Sequence, residues 1–477
     1  MTSMKISPRD LVAFKATAVE ERSRDISETG VLTRIRKKPA AEKKAGLFRS
    51  KLRGSGFKSR SLILATGTCA GQAIHIAAAP LLTRLFSPEA FGVLAVYMSL
   101  STILAVVGSL RYDGALMITS DPEETINLAS LCFLVSLLLS TVLFAGVSLF
   151  FFFGVQMPPR VAGMGWTLYL VPAAVFVLSS QSILRLSGIR RGRFGSVSLS
   201  GFVQGFSENG VKIAAGAAGV VGPLGLIAGH LAGGIAATIY LLRKLRTCFP
   251  NGKLWKIVRK KKMQAMGSRY RAFPLYNSWS SLINVVSLQA PALMLGWLFD
   301  LRAAGFYLLA QRVLKVPVRL LGQAVSDSLF KEAADRKRTG RRILPFVLKV
   351  IGLLAGVIAV PLFAALFFGE FLFETVFGRE WGTSGLYVTI MAPWIAMQFL
   401  TSAVSSVFSV LEKNKILSGL QLMLLASTLL PFLFAGRLGH DDVQVIILLS
   451  AFNFVAYAAY GLAAVWICRS HDAGLRT

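Results

Sequence analysis

The feature that most constrains this chain is a succession of apolar runs recurring from residue 61 onward. Six lie near 61–82, 91–111, 126–153, 162–183, 198–219 and 223–243, and six more near 273–299, 304–328, 343–368, 384–410, 416–436 and 442–468. Each approaches the ~20 residues that a helix needs to cross ~30 Å of hydrocarbon. A backbone inside a bilayer must satisfy its own N–H and C=O groups, so runs of this length become helices. Charged residues make up only 16% of the chain and mean hydropathy is +0.61, against ~25% charged in soluble domains. The expected fold class is all-α: a polytopic membrane protein with about twelve transmembrane helices in two six-helix lobes around a central cavity.

The net charge of +29 raises the question of nucleic acid, but its distribution argues for topology. Lys and Arg crowd alternate loops, as in "RLSGIRRGRFG", "RKLRTCFPNGKLWKIVRKKK" and "KEAADRKRTGRR". The intervening loops carry only Arg84, Arg160, Arg302, Arg379 and Arg437. This bias predicts both termini in the cytoplasm and no nucleic-acid partner. Residues 1–60 hold sixteen Lys/Arg against six Asp/Glu and no apolar core of a secretory signal. They read as a basic, disordered cytoplasmic arm able to meet anionic lipid. The expected division is this arm, an N-lobe over 61–243, a basic linker over 244–272 and a C-lobe over 273–470. Within the linker, "KLWKIVRKKKMQAM" is either an amphipathic helix on the membrane surface or a solvated tether. Trp381, in the largest outer loop, suits the membrane interface.

The halves resemble each other. "LTRLFSPEAFG" at 82–92 aligns without gaps on "LGWLFDLRAAG" at 295–305, each joining the first run of its half to the second. Paired six-helix repeats commonly carry a substrate site between them near the bilayer midplane.

Polar residues inside spans are costly unless they face a cavity or a partner. The eighth run carries Arg312, Lys315 and Arg319, with Gln323 and Ser326, on one helical side, and Pro317 is placed to bend it. Arg312 lies on the order of 12 Å from the start of its helix at 1.5 Å per residue, so a cavity-lining role competes with that of a surface anchor only for the other two. The seventh run aligns Asn277, Ser281, Asn284 and Ser287, and the tenth carries Gln398. These are either hydroxyl-binding groups or bonds between helices. Glu208 and Lys212, four apart, form either a neutralised structural pair or a switch. Such a switch opens when a phosphate takes Lys212 and a proton or sodium ion takes Glu208. His75 is a candidate for coupling or a plain structural histidine, and Arg111 with Asp113 either gates the cytoplasmic end or pairs at the surface. Gly225, Gly229 and Gly233, like Gly201 and Gly205, read as close helix packing. Cys69, Cys132, Cys248 and Cys468 have no ligand spacing, and no disulfide, metal site or cofactor is expected. No Walker A, GxSxG or paired-carboxylate signature is present, so an enzyme is not expected.

Three segments, "LLTRLFSPEAFGVLAVYMSL", "LRYDGALMITSDPEETINL" and "AGFYLLAQRVLKVPVRLLGQAVSDSLFKEAA", resemble bacterial polysaccharide-biosynthesis membrane proteins of the O-antigen translocase type. These flippases belong to the multidrug/oligosaccharidyl-lipid/polysaccharide exporter superfamily. The resemblance implies an inner-membrane protein working by alternating access. Its cargo would be an undecaprenyl-pyrophosphate-linked oligosaccharide, carried to the periplasmic leaflet for O-antigen or exopolysaccharide. It further implies cations in the cavity. With no nucleotide-binding domain in the sequence, H⁺ or Na⁺ is the candidate coupling ion, and other polysaccharide assembly proteins are candidate partners. A drug/cation antiporter and a lipid II flippase stand as alternatives. Buried cations outnumber Glu208, the one clear acid within a span, which argues against a cationic cargo.

Overall fold

The structure, a computed structural model, describes residues 67, 69–119, 121–155, 157–246, 258–271, 273–438 and 441–475. The expected arm over 1–60 and the linker stretch 247–257 lie outside the described residues. Residues 60–477 form one compact unit. Its described part is helical, and no strand occurs in it. The first six long helices are α1 (69–85), α2 (Pro88–Gly108), α3 (Pro122–Phe152), α4 (Leu170–Arg190), α5 (Phe194–Ala217) and α6 (Pro223–Arg246). A short α7 (Lys260–Arg269) follows. The second set is α8 (Ser278–Leu298), α9 (Leu301–Leu314) continued by α10 (Val316–Arg338), α11 (Leu344–Phe377), α12 (Gly382–Val404), α13 (Asn414–Leu438) and α14 (Asp442–Gly474). The twelve apolar runs thus become twelve crossings, with α9 and α10 sharing one.

Nine stretches among the described residues are long and apolar enough to cross a membrane on that ground alone. The crossings outside that set are α1, α5 and the broken α9–α10. These helices carry His75, the Glu208–Lys212 pair, and Arg312 with Lys315. Two of them are short as described, α1 over 17 residues and α9 over 14, and all three place polar groups within the bundle, where a cavity or partner offsets their cost.

The matching segments of the two halves meet each other. Ser87 caps α2 by accepting from Ala90 N (3.3 Å), and at the aligned position Asp300 caps α9 by accepting from Ala303 N (2.7 Å). Both caps satisfy an orphan N–H of a first turn. The two N-termini then cross where only glycine fits. A Cβ on Gly92 would strike the Leu301 backbone, and one on Gly305 would strike the carbonyl of Pro88. Pro88 and Leu301 are aligned positions, as are Gly92 and Gly305, so the two contacts are images of one another. Glu89 and Arg302, also aligned, pair across the crossing.

Further bonds reinforce this end. Arg160 Nη1 donates to Leu298 O (2.6 Å) and Trp381 Nε1 donates to Thr83 O (3.1 Å). Trp381 is therefore not an interfacial anchor: it is 1% exposed and packs edge-on against Phe91. The largest hydrophobic cluster straddles both halves here, joining Phe91, Leu94 and Tyr97 to Ala304, Tyr387 and Met391. Toward the basic end the clusters separate, one built within α10–α14 and others within the first half and its linker. The halves are thus knit together at the end opposite the basic loops and packed separately at the basic end.

Of the basic linker, α7 is described, and it is docked on the first half. Lys262 and Arg269 pair with Glu123 and Glu124 at 2.6 Å each, and Tyr112 OH donates to Gly267 O (3.0 Å).

Candidate functional site

The α9–α10 crossing breaks at Lys315. The Lys315 N–H still closes onto Gln311 O (3.1 Å), but Pro317 in the first turn of α10 has no N–H to continue the ladder. The break turns residues 311–315 into a partition. Arg312 lines a cavity of about 240 Å³ facing the first half. Lys315 lines a second cavity, of about 490 Å³, set mainly among second-half helices. Gln289 and Gln311 line both, so the two are neighbouring compartments of one space. On the remaining face, Val313 and Leu314 line an apolar pocket of about 190 Å³ against α11 and α12.

The first compartment is charged. Its wall includes His75, Glu208, His230 and Arg312. Glu208 accepts from Lys212 Nζ at 2.6 Å and lies 3.5 Å from His230 Nδ1. Asn209 Nδ2 lies 2.9 Å from His75 Nδ1. Arg312 Nη1 is buried with no hydrogen-bond partner among the described residues. An uncompensated donor of this kind is costly without a ligand.

Lys212 does not line the cavity. It is 0% exposed and sits behind Glu208. Gly229 and Gly233 of α6 press on the pair, leaving no room for a Cβ beside Lys212 Cγ or Glu208 Cβ. The geometry is that of a buried, mutually neutralised pair, and the cation on the cavity wall is Arg312 rather than Lys212.

The second compartment is neutral apart from Lys315. Asn284, Gln289, Gln311, Gln398, Gln421 and Tyr457 contribute amides and a phenol, and no described lining residue is acidic. Gln398 Nε2 donates to Tyr457 OH (2.7 Å). Its Oε1 and the Nε1 of Trp394 are buried without a hydrogen-bond partner among the described residues. Trp394 and Gln398 line a side pocket of about 50 Å³ that shares Asn284, Lys315 and Tyr457 with the main compartment.

A family model described as polysaccharide biosynthesis protein matches residues 81–386, well over half of the 477 residues. The chain belongs to the polysaccharide biosynthesis protein family. Among solved structures, this family member matches a multidrug resistance MATE family transporter of the MOP superfamily in an inward-facing conformation. The TM-score is 0.62 at 13% identity, covering 86% of this chain and 95% of that one. It also matches the lipid II flippase MurJ in an inward closed conformation, with TM-score 0.61 at 12% identity over 87% and 90% of the two chains. A MATE structure in complex with MaL6 aligns with TM-score 0.52 at 13% identity, over 87% and 95%. At these identities the likeness speaks for the fold alone. No curated protein matches the sequence.

The other sequence candidates fall as follows in this polysaccharide biosynthesis protein. The side chains of Asn277 and Arg319 lie outside the described residues. Asn284 and Gln398 line the second compartment. Asp113 does not pair with Arg111 at the surface. It is buried, accepts from Ser182 Oγ (2.8 Å), and lies beyond a turn in which Leu110 and Arg111 both take left-handed backbone (φ 47° and 56°). Consecutive left-handed non-glycine residues cost on the order of 1–2 kcal/mol each, so this turn is held by its surroundings. Gln289, Gln311, Gln421, Trp394 and Tyr457 were not singled out by sequence. The helical phase could have found Gln311, which lies one turn beyond Tyr307 and accepts its role in both compartments by adjoining Arg312.

Proposed function

We propose that this protein is a flippase for an undecaprenyl-diphosphate-linked oligosaccharide in O-antigen or exopolysaccharide assembly. It moves the head group from the cytoplasmic to the periplasmic leaflet of the bacterial inner membrane while the polyprenyl tail stays in lipid. The observation that carries this reading is Arg312 Nη1, buried without a hydrogen-bond partner among the described residues on a cavity between the halves, with Lys315 one turn further along. A diphosphate needs cover for its charge when it leaves water, and guanidinium matches phosphate oxygens in pairs. The basic end faces the cytoplasm by the positive-inside bias. With the opposite end sealed at the α2–α9 crossing, the cavity is oriented to load from the cytoplasmic leaflet. Alternating access then requires the α2–α9 seam to part and the basic ends to close.

The test is Arg312→Ala in a strain lacking the chromosomal copy. Surface polymer is lost while membrane insertion and protein level are retained. Wild-type polymer in that variant would remove Arg312, and with it this reading. A drug or cation cargo would instead leave polymer intact and alter drug sensitivity.

A further inference from the structure

Resting on the flippase reading, the division of the cavity assigns a second role. We propose that the amide-lined compartment is the sugar site, receiving the neutral pyranose residues nearest the diphosphate and setting which glycan is carried. Its donors and acceptors are of the kind that sugars require. A hydroxyl both donates and accepts, and so does a carboxamide, whereas a cation or carboxylate does only one. Gln289 and Gln311 stand on the wall shared with the charged compartment, next to Arg312. A diphosphate held by Arg312 and Lys315 therefore presents its attached sugar directly to the amides. The volume of about 490 Å³ falls in the ~300–1,000 Å³ range of small-molecule sites, and is about twice that of the charged compartment. Two buried polar atoms beside it have no partner among the described residues: Gln398 Oε1, on a residue that lines the compartment, and Trp394 Nε1, on a residue 5% exposed that lines the adjoining side pocket. One is a donor and the other an acceptor, the two kinds of group that sugar hydroxyls satisfy.

The test uses the full chain in nanodiscs and four probes. These are farnesyl diphosphate and its glucosyl, galactosyl and N-acetylglucosaminyl derivatives, with affinity read by thermophoresis. The wild type binds at least one sugar-bearing probe tighter than bare farnesyl diphosphate. Trp394→Phe, which keeps the ring packed but removes the N–H, and Gln398→Leu each lose about tenfold on that probe, the scale of one well-placed hydrogen bond. Both keep wild-type affinity for the bare diphosphate. Arg312→Gln weakens all four probes. If the wild type binds sugared and bare probes alike, or if both compartment variants weaken the bare diphosphate as much as the sugared one, the sugar assignment is overturned and the flippase reading stands. If the wild type binds none of the four, both are overturned.

Discussion

Replacing Gly305 by Ala tests the reasoning about the seam most directly. The new Cβ would overlap the Pro88 carbonyl oxygen and lie 3.0 Å from Gly92 N. These are backbone atoms near the start of a capped helix, so they cannot swing aside as a side chain would. The helices must separate instead. Overpacking of this kind typically costs ~1–3 kcal/mol, and all of it falls on the state in which α2 and α9 touch. If the closed and parted states are otherwise within a few kcal/mol, their ratio shifts roughly 5- to 150-fold. The Glu89–Arg302 pair is the weaker contributor: its side chains are 44% and 56% exposed, and such pairs are worth about 0–1 kcal/mol. Spin labels at Val221 and Phe371, exposed positions at the sealed end, in a background lacking the four cysteines, report the separation by pulsed dipolar spectroscopy. Gly305→Ala lengthens the distance distribution, and Gly92→Ala does the same by the related contact. Gly352→Ala, where a Cβ meets nothing within 4 Å, leaves it unchanged. An unaltered distribution in Gly305→Ala, or a larger shift from Glu89→Gln than from the glycine variant, would refute the steric account.

Other outcomes follow from the same structure. Oxidation of a Glu89→Cys, Arg302→Cys double variant arrests polymer export and reduction restores it, because the crossing cannot part; export that continues through complete crosslinking would sink the alternating role of this seam. Lys212→Met leaves the Glu208 carboxylate buried without its cation, at a cost of about 3–5 kcal/mol. Adding Glu208→Gln recovers most of the loss in thermal stability, and a double variant no more stable than the single one would contradict the pair. Asp472 accepts from Ile343 N and Leu344 N at 2.9 Å each, capping α11 from the end of α14. Asp472→Ala destabilises the basic end of the second half by about 2–4 kcal/mol, seen as a lower melting temperature, and Asp472→Asn loses less because it retains an acceptor.

The span pattern was legible because lipid imposes one rule, backbone satisfaction over a set length, that needs no knowledge of neighbours. The break at Lys315 was foreshadowed by Pro317 for the same local reason. Partnership was harder to read. Between 82–92 and 295–305 the shared glycine marks the point of closest approach, yet Glu89 opposite Arg302 scores as a mismatch in any comparison of letters. A one-stripe reading of each helix selects Arg312, Lys315, Asn284 and Gln398. It passes over Gln311, because a helix dividing two compartments is polar on two faces. It passes over Trp394 and Tyr457 too, because aromatic rings count as apolar even when they carry a ring nitrogen or a hydroxyl beside a polar cavity. The withdrawal of Lys212 from the cavity depends on Gly229 and Gly233 of another helix, which the spacing of α5 cannot report.

The reciprocal crossing of α2 and α9 has the form of an isologous interface, in which each patch binds its own copy. In a dimer of identical six-helix chains, the position now held by Glu89 and Arg302 would face itself across the two-fold axis, and either charge there would meet its like. Joining two such units into one polypeptide removes that restriction. The two copies of the position can then take opposite signs, and a contact that symmetry would have kept neutral becomes an attractive one.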